Sequence, residues 1–154
     1  MKRLLERLSV FKVGLTIISF FGRRRYFNGL TNWLTNQMAK VNLSMNHPAK
    51  ANDAKELANT WQQLMPPDGK AFFKIKDTDQ ETAFVGIHVH CPLRGTGDAH
   101  ACHRLMNYDR QLMKQVGGQL IVLDSQSNSG KDYCRLAIRT EGANVDDLTP
   151  AHLQ

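Results

Sequence analysis

Three cysteines, an aspartate set in an apolar stripe and an arginine among glycines are the residues of this chain whose types and spacing can do chemistry. Cys91, Cys102 and Cys134 can act as nucleophiles, as metal ligands or as small buried hydrophobes. Cys102 falls in the first turn of an expected helix, where the positive end of the macrodipole favours thiolate. Cys91 lies just before that helix at a strand end, beside the loop that carries Arg94, so either thiol is a candidate nucleophile. Asp109 is the candidate proton carrier. A lone buried carboxylate is costly unless it is paired or protonated, so Asp109 needs a partner: Arg94, a histidine or a bound ligand. A structural ion pair is the alternative to proton transfer.

The segment Arg94, Gly95, Thr96, Gly97, Asp98 combines a cation, backbone amides and a helix N-terminus, which together suit a carboxylate or phosphate. Glycines before a helix also serve simply to make a turn. His90 and Cys134 complete the candidate substrate-binding set. Zinc is the rival use of the same side chains, through Cys91, Cys102, Cys134 and one of His88, His90, His100 or His103. No CxxC or HxxxH spacing is present to set that geometry, and no cofactor is expected.

The elements that must position these residues follow from periodicity. From Ala71 the apolar period is two: Phe73 and Ile75 alternate with Lys74 and Lys76, Thr78 to Gln80 make a turn, and a longer strand runs from Thr82 to Cys91. In that strand Ala83, Val85, Ile87, Val89 and Cys91 share one face. Asp98 suits the N-cap of a helix running to Val116, ended by Gly117 and Gly118. On that helix Cys102, Leu105, Met106, Asp109, Leu112, Met113 and Val116 share one side. Strands from Gln119 to Ser127 and Tyr133 to Arg139 close the unit, with Cys134, Leu136 and Ile138 inward. The expected class is α+β: N-terminal helices, then a four-stranded antiparallel sheet built as hairpin–helix–hairpin.

Upstream, Leu30, Trp33, Leu34, Met38 and Val41 mark one helix, which stops in the stretch Asn42 to Pro48. Leu57, Trp61 and Leu64 mark another, capped by Asn52 or Asp53 and ended by Pro66 and Pro67. Both read as ordinary packing helices with core tryptophans. A chain of 154 residues suits one domain with an extension. The division expected is a basic amphipathic helix at 1–25, a single α+β domain at 26–141 with its core at 70–141, and a polar peripheral tail at 142–154.

A net charge of +6 and a pI near 9.4 call for an anionic partner. Basic residues gather at Lys2, Arg3, Arg7, Lys12 and Arg23 to Arg25 rather than interleaving with aromatics, so no nucleic acid is expected. The apolar run Val13 to Phe21 is about half of the ~20 residues that cross a bilayer. It is also followed by arginines and lacks a cleavage site. An apolar side of Leu4, Leu5, Leu8, Phe11, Leu15 and Ile18 would instead lie in a membrane surface, on a partner subunit or on the protein's own core. Free thiols without a signal peptide imply a reducing compartment, hence a cytoplasmic location, peripheral at the inner face of the membrane.

The order of features resembles a known family. A strand ending in Cys91-Pro92, a helix opening with Cys102 and carrying Asp109 seven residues on, and a hairpin with Gly130 and Cys134 are similar to the L-2-amino-thiazoline-4-carboxylate hydrolase family. The hairpin is also similar to the 4-vinyl reductase type of small-molecule-binding domain. The resemblance spans Ala71 to Arg139. The first family implies hydrolysis of a carbon–nitrogen bond in a small cyclic amidine bearing a carboxylate. Cys91 or Cys102 would then be nucleophile, Asp109 proton carrier, and Arg94 with its neighbouring amides the carboxylate holder. The second implies a sensor or binding domain, in some members of which cysteines of the hairpin hold zinc; a non-catalytic ligand- or metal-binding module or accessory subunit, held to a membrane or larger complex by its N-terminal helix, is the alternative reading. Ser125 and Ser127 stand where such a domain carries a further cysteine, which counts against a hairpin zinc site.

Overall fold

The computed structural model describes residues 13–66 and 69–154. Leu4, Leu5, Leu8 and Phe11 of the expected N-terminal face, and Pro67, lie outside the described residues. The described chain opens with helical residues 13–22 (α1) and a 3₁₀ turn at Arg25–Phe27. Helices α2 (Asn28–Asn46), α3 (Ala54–Leu64) and the single turn α4 (Gly69–Phe72) follow. Then come β1 (Phe73–Thr78), β2 (Ala83–Ile87), α5 (Ala99–Leu105), α6 (Asn107–Gln115), β3 (Gly118–Asp124) and β4 (Cys134–Thr140). The four strands form one antiparallel sheet in the order β1-β2-β4-β3, so the two hairpins join through β2 and β4.

Local chemistry explains the sharpest boundaries. Asp53 Oδ1 accepts the Glu56 amide at 2.7 Å while Glu56 Oε2 accepts the Asn52 amide at 2.8 Å, a reciprocal cap that starts α3. Asp98 caps α5 by accepting the Ala101 amide at 2.7 Å. Gly117 ends α6 at φ 89°. Gly118 is there for a different reason: a Cβ would stand 2.6 Å from a methyl of the fully buried Leu57, so any larger residue would force that side chain to move.

Helix α3 packs across β1, β2 and β4, α6 packs on β3, and α2 lies outside them on α5 and α6. The core between sheet and helices contains Leu57, Trp61, Val85, Leu112, Met113, Leu136 and Ile138, all fully buried.

Several expectations need correction. The expected strand Thr82 to Cys91 is realised only as Ala83–Ile87: the His88 amide still bonds the Phe72 carbonyl at 2.7 Å in the same register, but Phe72 belongs to the turn α4, the partner strand goes no further, and the chain bends at Val89. The helix expected from Asp98 to Val116 breaks at Met106 into α5 and α6. The last strands run Gly118–Asp124 and Cys134–Thr140. The tail is not merely peripheral: Ala151 is buried, and Arg139 donates to both Asp147 carboxylate oxygens at 2.6 Å. Of the two tryptophans Trp61 is core, whereas Trp33 is 57% exposed.

Candidate functional site

The three thiols lie within electrostatic reach of one another. Cys102 comes from α5, Cys134 from the first position of β4, and Cys91 from the turn that follows β2. Cys102 and Cys134 are buried and Cys91 is half-buried. All three are free thiols. Their charges would interact: a thiolate at Cys91 or Cys102 opposes ionisation of Cys134, and one at Cys91 opposes that of Cys102.

Gln126, between the two strands of the second hairpin, is what holds this corner together. Its Oε1 accepts the Cys91 amide at 3.2 Å and Arg94 Nε at 2.9 Å, and its Nε2 donates to the Val89 carbonyl at 2.8 Å. Its own amide donates to Cys134 Sγ at 3.4 Å. One fully buried residue thus ties the turn after β2, through its side chain, to the start of β4, through its backbone amide. Ser125 and Ser127 flank it, both buried, with their hydroxyls 2.8 Å apart. Sequence reasoning missed Gln126. That residue falls near the end of the expected strand Gln119 to Ser127, in the polar run Asp124 to Ser129, which carries no signal of a buried side chain.

Burial sets the electrostatics. Desolvation pushes Cys134 up to about 12 and Cys102 up to about 11, the latter opposed by the Ser125 hydroxyl. The macrodipole benefit expected at Cys102 is therefore outweighed by its loss of water. Cys91 is also raised by desolvation, but the Leu93 amide, 3.4 Å from its sulfur, and the nearby Arg94 charge work in the opposite direction.

Asp109 is 7% exposed and hydrogen-bonded to Trp61, whose indole Nε1 donates to Oδ1 at 2.9 Å. The partner is thus neither Arg94 nor a histidine. Desolvation raises the acid to about 6, with the Trp61 bond and the Arg110 charge opposing it. Arg110 in turn donates to the His103 carbonyl at 2.7 Å. Asp109 makes Cys102 harder to ionise, which places carboxylate and thiol within electrostatic reach.

The other candidates are arranged differently from expectation. Arg94 is exposed and donates through Nη2 to the Asp132 carbonyl at 2.6 Å. The amides of Gly95, Thr96 and Gly97 are occupied by the carbonyls of Gln126, Leu93 and Ser127. His90 is exposed, and His88 stacks on Tyr133 with ring centroids 5.2 Å apart. Among the described residues no three His, Cys, Asp or Glu side chains group so that they could hold a metal ion. Nor is any described helix long and apolar enough to cross a membrane. Compared with family models, curated proteins and solved structures, the chain matches none of them.

Proposed function

We propose that this chain is a small-molecule hydrolase acting on the carbon–nitrogen bond of a cyclic amidine carboxylate, with Cys91 as its nucleophile. The observation that carries the reading is the corner built on Gln126, which bonds the Cys91 amide and the Cys134 sulfur and leaves Cys91 alone of the three thiols partly open. Its amide is fixed by Gln126, its sulfur accepts the Leu93 amide, and Arg94 lies beside it to attract an anionic substrate. Asp109, poised to exchange a proton near neutral pH, would serve as proton carrier by way of the Cys102 side of the cluster. Free thiols suit a reducing, cytoplasmic setting.

The direct assay is incubation of the purified protein with 2-amino-thiazoline-4-carboxylate, followed by chromatography of the ring-opened product. Turnover that is lost in Cys91→Ala and weakened in Arg94→Gln supports the proposal. Turnover unchanged in Cys91→Ala removes the nucleophile assignment. A non-catalytic ligand-binding module is the second reading. It is favoured by the loop amides, which already bond protein carbonyls, and by burial that keeps Cys102 and Cys134 protonated. Saturable binding of the same compound without turnover would select it.

A further inference from the structure

Helix α2 leaves most of its large apolar side chains exposed, Leu34 and Leu43 being half-buried. The residues it buries are Thr31, Thr35 and Ala39. They form a small and partly polar seam against the rest of the protein: Thr35 Oγ1 donates to the Thr31 carbonyl and accepts from Asn107 Nδ2, each at 2.9 Å. The apolar stripe faces away. Leu30, Trp33, Met38, Val41 and Met45 are 40%, 57%, 44%, 57% and 75% exposed. On α1, Val13, Ile17 and Phe20, spaced to share one side, are each more than half exposed. Nine of the eleven exposed large hydrophobic residues identified among the described residues lie between Val13 and Met45. Clustering of this kind marks an interaction surface, since scattered single exposures need no explanation but a stripe does.

The charge around the stripe selects the occupant. Residues 1–52 hold nine lysines and arginines and one acidic residue, whereas residues 53–154 hold eleven and thirteen. From Arg7 to Asn52 there is no aspartate or glutamate. Arg23, Arg24 and Lys40 are exposed, and the Arg24 guanidinium lies 4.8 Å from the centre of the exposed Phe20 ring. A second copy docking face to face would set these cations against their own counterparts. An anionic lipid surface accepts both features at once: apolar side chains enter the acyl boundary, tryptophan settles at the headgroup level, and arginine and lysine meet phosphate.

We propose that the outer face of α2, together with Val13, Ile17 and Phe20 of α1, is a docking surface for an anionic phospholipid membrane on which the protein lies without crossing it. The proposal needs nothing from the thiol corner, which α2 does not form. It also moves the membrane contact beyond the first 25 residues.

The test uses the full chain with vesicles of phosphatidylcholine alone and of phosphatidylcholine with phosphatidylglycerol. Trp33 is exposed and Trp61 fully buried, so a blue shift of emission on vesicle addition reports on α2. The expected result is sedimentation with the anionic vesicles, a blue shift, and weakening by salt. The triple variant Trp33→Ser, Val41→Ser, Met45→Ser should bind about tenfold or more weakly, each lost side chain removing apolar area from the interface. These positions are exposed, so an unchanged circular dichroism spectrum is expected of it. Equal sedimentation of variant and wild type overturns the proposal, as does absence of wild-type binding to both vesicle types. Dimerisation in solution that the triple variant abolishes, without vesicle binding, gives the face to a second copy instead.

Discussion

Replacing Asp109 by asparagine should shift stability in favour of the variant as pH rises toward neutral, and the size of that shift follows from the structure. The acid ionises at about 6 in the fold, because burial disfavours its charge, against an ordinary value of 3.8. The gap corresponds to ~3 kcal/mol. Its sign is that of a raised carboxyl: the folded form holds the proton more tightly, so this stabilisation is full below pH 3.8, declines as pH rises and is absent above about 6. Asparagine stays neutral throughout. The stability difference, variant minus wild type, should therefore climb by ~3 kcal/mol between pH 3.5 and pH 7.5. Any constant cost of fitting the amide cancels in that change, as do other titrating groups common to both proteins. Urea unfolding followed by tryptophan fluorescence at four pH values measures it. A difference that is flat with pH, or that falls, would refute the account of Asp109 as a desolvated acid. Trp61→Phe is the companion variant. It deletes the one side-chain donor seen on Oδ1, so its loss of stability should be greater at pH 7.5 than at pH 3.5 by ~2 kcal/mol, the worth of a hydrogen bond to a charged group.

Two further outcomes are expected. Gln126→Leu leaves the Cys91 amide and the Val89 carbonyl without partners, and should cost ~3 kcal/mol while accelerating alkylation of Cys91, as denaturant titration and timed labelling would record. His103 is held down to about 4 by burial, then by Arg110, His152 and further cations, with the His152 ring centre 3.9 Å away. Its contribution is full above pH 6.5 and lost as pH falls toward 4. His152→Gln should therefore lessen acid destabilisation in that window, read from the same urea series.

What the sequence made legible was local. The cap at Asp98, the cap at Asn52 or Asp53 that proves to be Asp53, the α+β order, and the inward positions of Cys102 and Cys134 all rest on neighbouring residues and simple periods. Cys91 is placed inward by extending period two past Ile87, but alternation holds only while the ladder does, and β1 offers no partner beyond Phe73, so the chain bends at Val89. Gln126 could not be found this way, since its side-chain bonds reach residues 32 to 37 positions distant. The partner of Asp109 lay 48 residues away on a helix read only as packing. For α2 the period correctly identified a stripe. Period alone carries no sign, and the small residues on the opposite side, which permit close approach to α5 and α6, decided which face went in.

The central claim is that one thiol of the three is set apart for reaction. Brief treatment of the native protein with iodoacetamide at neutral pH, with each cysteine quantified by mass spectrometry, tests it most directly. Cys91 should be modified at least about tenfold faster than Cys102 and Cys134, whose burial denies them both access and ionisation. Three equally slow thiols, or Cys102 reacting first, would contradict the account.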